Sequence, residues 1–347
     1  MRINLKKEFF TEKDFVIAEN GSMKATAFRY STGVCALKVE NENGYFIILP
    51  YQGQQIWRAN FCGRDLAMKS TFTEPVPNVS FLRTYGGFIY HCGMTSIGAP
   101  DANHLQHGEI PNIDYNSAYI ECGSENGRDY IAVGGSVDYD ISFTLRYIFS
   151  PKCTLYADAT TMKFDIELKN MRAAALEYAY LCHINFAPIY GAKLYYNADC
   201  RKVHRIIPDG MPEADKAKLI AQLDKLEADI HSADIVGEPD QFYQPEICCT
   251  MIYRGDRGYT LQYVEGEGAC YVTHTTKELP CSIRWISRHD TEDAMGMVLP
   301  STGEHLGYEY LKEQGQLQVL EPYGTLNFTM EAGWIGDKEA KEIISKI

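Results

Sequence analysis

The chain has 347 residues, enough for one large domain or two, and its 45% apolar and 23% charged residues are ordinary globular values that exclude long disorder. A formal charge of −13, with no basic run, argues against a nucleic-acid partner, because phosphate binding depends on clustered Lys and Arg. There is no signal-peptide pattern at the N-terminus and no apolar stretch of membrane-spanning length, so no membrane partner is expected.

The eleven cysteines are scattered without a CxxC spacing, and in a chain with no export signal they read as reduced thiols of a cytoplasmic protein. The 24 tyrosines favour strands and supply amphipathic walls for polar ligands.

From Phe15 to about Pro50 short alternating segments separated by turns read as strands, with Asn43-Gly44 a strong hairpin signal. The Gly-rich run from Tyr85 to Pro100 and the following HLQHGEIPN, His104 to Asn112, read as loop. Strands resume between residues 117 and 190, several of them alternating apolar and polar residues as a sheet with one wet face does. One segment, about 212–232, carries Leu219, Leu223, Leu226 and Ile230 at helical spacing, which predicts an inserted amphipathic helix started by Asp209 or Gly210. Strands return from Glu246, and a short helix is expected over Lys338–Ile347 with Asp337 as its cap. The simplest architecture is a single all-β domain spanning 1–347, a sandwich or barrel with one helical insertion and a short C-terminal helix.

Two stretches carry the chemistry. In HLQHGEIPN, His107 and Glu109 would share one face of an extended strand and His104 the other; a loop could instead gather all three as ligands for a divalent metal. In CHINFAP, Cys182 to Pro188, His183 and Asn185 are two apart and point to one face of a strand, where a histidine can move a proton and an asparagine can fix a hydroxyl. Glu304, after a Pro-Ser-Thr-Gly turn, and Glu321 are candidate carboxylates, while Arg83, Asp240, Gln241 and Trp285 are candidate sugar contacts. No P-loop, GxGxxG, GxSxG or HExxH occurs, which removes the commonest nucleotide, esterase and zinc-protease readings.

Taken in order, His107-Gly108, then His183 with Asn185 and Phe186, then Asp240 and a late carboxylate resemble the aldose 1-epimerase (galactose mutarotase) superfamily. Tyr85-Gly86-Gly87-Phe88, LQHGEIPN, CHINFAP and LPSTGEHLGY point to its poorly characterised branch, over roughly Gly53 to Gly333. The resemblance implies a β-supersandwich of two large antiparallel sheets and a carbohydrate-active isomerase acting on a free aldose or modified hexose. It makes His183 the general acid and His107 a substrate-binding residue, with Asn185 and Asp240 anchoring hydroxyls; a glutamate would remove the anomeric proton. Relatives often carry Glu-Pro where this chain has Leu299-Pro300, so the base is expected at Glu304 in preference to Glu321.

A positioned acid or base contributes about 10²- to 10⁴-fold, which suffices for ring opening without a cofactor. Two alternatives stay open. One is a keto-sugar isomerase, epimerase or lyase on the same fold, using a divalent metal at His104, His107 and Glu109. The other is a non-catalytic sugar-binding module. The expected partner is a small carbohydrate, and the chain is expected to be a monomer or homodimer.

Overall fold

The computed structural model describes residues 1–78, 80–237 and 246–347. Asp240 and Gln241, two of the expected sugar contacts, lie outside the described residues. Among the described residues the chain forms two antiparallel sheets, one of nine strands and one of thirteen. The strand Thr161–Asn170 illustrates why these segments pair: Met162, Phe164, Ile166 and Leu168 alternate with polar residues and turn inward, each buried to within 2%. Burying each such side chain stabilises by about 1.5–3 kcal/mol, so one face of each strand commits to the core. The resulting apolar cluster takes residues from both sheets.

The larger sheet holds five adjacent strands that matter for function. In spatial order they are Ile247–Tyr253, Cys281–Arg288, Asp293–Ser301, Leu176–Ile184 and Ile89–Met94. The last of these corrects the loop reading of Tyr85–Pro100. All six of its residues are buried, so the alternation that marks a half-wet strand is missing, and Gly93 with the glycines flanking the strand imitates a turn.

Gly93 stands in this strand for a steric reason. Its φ is +128°, and a Cβ there would lie 2.3 Å from the carbonyl oxygen of Ala179 on the neighbouring strand.

Pairing around Leu176–Ile184 is lopsided. One edge pairs continuously with Ile89–Met94, from Ala179↔Met94 to Ile184↔Ile89, whereas the other meets Asp293–Ser301 only at Leu181↔Ser301. Pairing on that side resumes at Phe186↔Met295, so the ladder is interrupted beside His183.

The expected insertion is present as a helix, Glu213–Ala228, with Leu219, Leu223 and Leu226 buried. Ile230 falls instead in a following 3-10 turn, Ile230–Ala233. Neither Asp209 nor Gly210 starts the helix: Pro212 occupies the cap position, with no side-chain cap. The terminal helix is Asp337–Ile344, and Asp337 is its first residue rather than its cap. The Asp337 carboxylate accepts from Gly266 N–H at 2.9 Å and Tyr263 Oη at 2.7 Å, which ties the helix to the smaller sheet. A third helix, Tyr308–Glu313, has no clear periodic signal at only six residues. No helix among the described residues is long and apolar enough to cross a membrane.

Replacing Gly93 by alanine adds a methyl group against fixed backbone in a conformation that L-residues rarely adopt. Gly93→Ala is expected to lower unfolding free energy by at least about 2 kcal/mol. Urea denaturation measures this, and an unchanged midpoint contradicts the packing described.

Candidate functional site

A cavity of about 80 Å³ lies over the interrupted seam. It is lined by the polar side chains of Tyr85, Gln106, His107, His183, Glu246 and His305 and by apolar ones that include Leu181, Ile283, Leu299 and Trp285 from three adjacent strands. Leu82 lines it too and is 58% exposed, which marks the mouth.

His183 reaches the cavity from the end of its strand. Its Nδ1 lies 2.7 Å from Asn185 Oδ1. Asn185 Nδ2 donates to the Gly87 carbonyl at 3.0 Å, which fixes the amide so that its oxygen faces the imidazole and also accepts from Tyr85 Oη at 3.0 Å. Asn185 Oδ1 can only accept, so His183 carries its proton on Nδ1 and leaves Nε2 as a bare acceptor. Burial lowers the His183 pKa to about 4, against the raising effect of the Asn185 bond. The ring is neutral at pH 7.

His107 is the opposite case. Its Nδ1 accepts the Gly98 N–H at 3.3 Å, so the proton of the neutral ring sits on Nε2. Burial, with a smaller contribution from His183, lowers its pKa to about 3. The two rings are 5.3 Å apart and nearly perpendicular.

The backbone of His107 is held at φ +60°, the left-handed region that non-glycine residues seldom occupy and that concentrates at functional sites. What holds it is Gly93: its N–H donates to the His107 carbonyl at 2.9 Å, and its carbonyl accepts from Ile110 N–H at 3.0 Å. Gly108 is required because a Cβ there would sit 2.2 Å from the Gly93 carbonyl oxygen.

The structure brings His107, His183 and Trp285 together, the Trp285 ring lying 5.0 Å from His183. Asn185 is fully buried and turns its amide to His183, Tyr85 and Gly87 rather than into the cavity. Arg83 is exposed and does not line the cavity, although its neighbours Phe81 and Leu82 do.

Glu304 does not line it either. It is 2% exposed, and its carboxylate accepts from Thr250 Oγ1 at 2.8 Å, from Gln316 Nε2 at 3.2 Å and from Tyr310 Oη. Burial raises its pKa, but those bonds together outweigh burial and hold the group below the usual carboxylate range. Glu321, the other candidate, is exposed in the turn before the last strand, its carbonyl accepting from Gly324 N–H at 2.9 Å.

His104, His107 and Glu109 are not assembled as a ligand set. His104 pairs with Asp101 at 2.9 Å and stacks on Tyr308, while Glu109 is bonded by Thr95 and Tyr147. Only His107 faces the cavity. Among the described residues no three His, Cys, Asp or Glu side chains are placed to hold a metal.

Glu246, His305 and Gln106 are cavity residues that the motifs did not single out. Gln106 and His305 sit inside the quoted stretches, each next to a residue that was chosen. Only the turn of the backbone decides which neighbour faces inward. Glu246 immediately precedes the strand Ile247–Tyr253 and carries no sequence signal beyond its charge.

Buried neutral histidines make the fold sensitive to acid. Burial lowers His91, His107 and His274 to about 3 and His183 to about 4. The unfolded chain titrates these groups near 6.5, so below that pH it binds more protons than the native state. Their contribution is complete above pH 6.5 and is lost as pH falls toward 4, at up to about 1.4 kcal/mol per unit for each histidine. Urea midpoints should therefore drop between pH 7 and pH 5; equal midpoints would refute the burial.

With the geometry established, comparison with known proteins is informative. A Klebsiella pneumoniae protein provisionally named an aldose 1-epimerase has a solved structure that superposes with a TM-score of 0.80 at 14% identity, over 100% of this chain and 94% of that one. A galactose mutarotase-like protein of Clostridium acetobutylicum gives a TM-score of 0.58 at 11% identity, covering 91% and 100%. A galactose mutarotase related enzyme of Lactobacillus acidophilus gives 0.56 at 12%, covering 87% and 98%. At such identities the likeness is one of fold, a galactose mutarotase-like β-sandwich. No curated protein matches the sequence. Residues 31–333 match the family described as Domain of unknown function (DUF4432), and the chain belongs to that family.

Proposed function

We propose that the chain is an aldose 1-epimerase-type isomerase that interconverts the anomers of a free aldose in the cavity lined by His107 and His183. The observation that carries this reading is the opposite tautomers of two neutral, adjoining histidines, one offering an acceptor and the other a donor to the same cavity.

Anomer exchange needs both groups. His183 Nε2 takes the proton of the anomeric hydroxyl. The C1–O1 bond becomes a carbonyl and the bond from C1 to the ring oxygen breaks, its electron pair passing to that oxygen. His107 Nε2–H donates a hydrogen bond to the oxygen on which charge develops, and the imidazolium just formed on His183 gives it the proton. Rotation about C1–C2 and reversal of these steps deliver the other anomer, with no net change in protons or electrons.

In this scheme His183 serves as base before it serves as acid. That order follows from its neutral resting state, whereas the family resemblance implies an acid throughout. Glu246 is the carboxylate among the described lining residues. The sugar enters past Leu82 with C1 and the ring oxygen toward the two histidines and its ring against Trp285.

Saturation-transfer NMR of anomer exchange over a panel of aldoses tests the proposal. At least one sugar should exchange faster with the protein than without it. His183→Ala should lose about 10²- to 10⁴-fold of that acceleration. Glu304→Gln, which leaves the lining intact, should keep kcat within about tenfold, because its carboxylate is not the base. No accelerated sugar, or a His183→Ala protein as active as wild type, overturns the reading.

A further inference from the structure

His305 occupies the cavity wall next to the proposed catalytic pair, yet neither of its ring nitrogens has a hydrogen-bond partner, although both atoms are buried. The other buried histidines at this end of the sheet are engaged. His107 accepts from Gly98, His183 donates to Asn185, and His204 Nε2 lies 2.7 Å from Thr250 Oγ1. A buried polar side chain left unpaired is costly, and such exceptions in native structures call for an explanation. An apolar residue of similar volume would fill the position at lower cost.

The position of His305 is strictly held. A Cβ on Gly98 would lie 1.6 Å from the His305 carbonyl oxygen, and that carbonyl accepts from Ala99 N–H at 3.2 Å. The same Gly98 donates its N–H to His107 Nδ1 and accepts from His107 N–H at 2.9 Å, so one short segment clamps both histidines.

Behind His305 the His204 ring stands 4.9 Å away, at 83°. Thr250 Oγ1 donates to the Glu304 carboxylate at 2.8 Å, and must therefore accept from His204 Nε2–H. This chain, Glu304 to Thr250 to His204, ends on the ring against which His305 packs.

We propose that His305 binds a sugar hydroxyl directly through one of its ring nitrogens. The proposal rests on reading the cavity as an aldose site. A hydroxyl group can either give or take a hydrogen bond, so it can pair with the protonated or the bare nitrogen of a neutral imidazole. A carboxylate or phosphate could use only the N–H, and no Lys or Arg is among the described lining residues to balance its charge. The group at His305 is thus an uncharged hydroxyl of the substrate, distinct from the anomeric centre served by His183.

The test compares wild type with His305→Leu and His305→Asn, using the aldose whose anomer exchange is accelerated most, together with its monodeoxy derivatives. His305→Leu removes an unpaired buried polar group, so its unliganded Tm should rise by about 2 °C or more. Its KM should increase at least tenfold while kcat changes less. His305→Asn, which keeps one donor and one acceptor, should recover part of the lost affinity. One deoxy derivative should bind wild type as weakly as the parent sugar binds His305→Leu, and removal of that hydroxyl should not weaken binding to the variant further.

A His305→Leu protein with wild-type KM overturns the inference, as does one with lowered Tm and unchanged KM, which is the mark of a structural role. Calorimetric titration with the same aldoses separates the two proposals. Sugar binding that His305→Leu weakens, without any turnover, sinks the isomerase reading and keeps the His305 assignment. Absence of binding by every aldose sinks both.

Discussion

Desolvation governs this site. In a cavity walled by Leu181, Ile283, Leu299 and Trp285, a charged imidazole is too costly to persist, and His107 and His183 are held neutral well below their ordinary range. Once the rings are neutral, each has one proton to place. The hydrogen bond on the far side of the ring decides where it goes. Asn185 draws the His183 proton to Nδ1, and Gly98 pushes the His107 proton to Nε2. Two residues of the same type thereby acquire opposite roles, and neither role is written in the identity of the residue itself.

The supports of that arrangement are backbone contacts that tolerate little change. Gly93 lies against Ala179 on one side and against Gly108 on the other, so three chain segments meet with no side chain between them. This contact carries His107 in its left-handed conformation to within 5.3 Å of His183. The lopsided pairing of Leu176–Ile184 supplies the space, since a fully paired sheet would bring the Leu299 strand into continuous register beside His183. Strain, close packing and an incomplete ladder are thus features of one place in the molecule.

Much of this was legible beforehand. Alternation identified strands such as Thr161–Asn170, and the leucine spacing identified the helix Glu213–Ala228. That His183 and Asn185 lie on the same side followed from the two-residue period of a strand, and the ordered motifs led to the correct fold. Failures came where burial or backbone geometry overrides pattern. Ile89–Met94 is covered on both faces and glycine-containing, so it read as a loop. Asn185 was expected to hold a sugar hydroxyl, but a side chain that shares a face with His183 can as easily bond to it. Glu304 was expected as the base by charge and motif while its neighbour His305 went unremarked, and adjacent residues face different surroundings. The carboxylate went to Thr250, Tyr310 and Gln316, and the imidazole went to the cavity.

The central claim is that the cavity holds two neutral histidines of opposite tautomer, and it can be examined without knowing the sugar. Side-chain nitrogen NMR of the ¹⁵N-histidine-labelled protein at pH 7, with His107→Asn and His183→Asn for assignment, reads the protonation of every ring nitrogen. The account predicts His183 protonated on Nδ1 only and His107 protonated on Nε2 only. A shared tautomer, or a charged ring at either position, contradicts it.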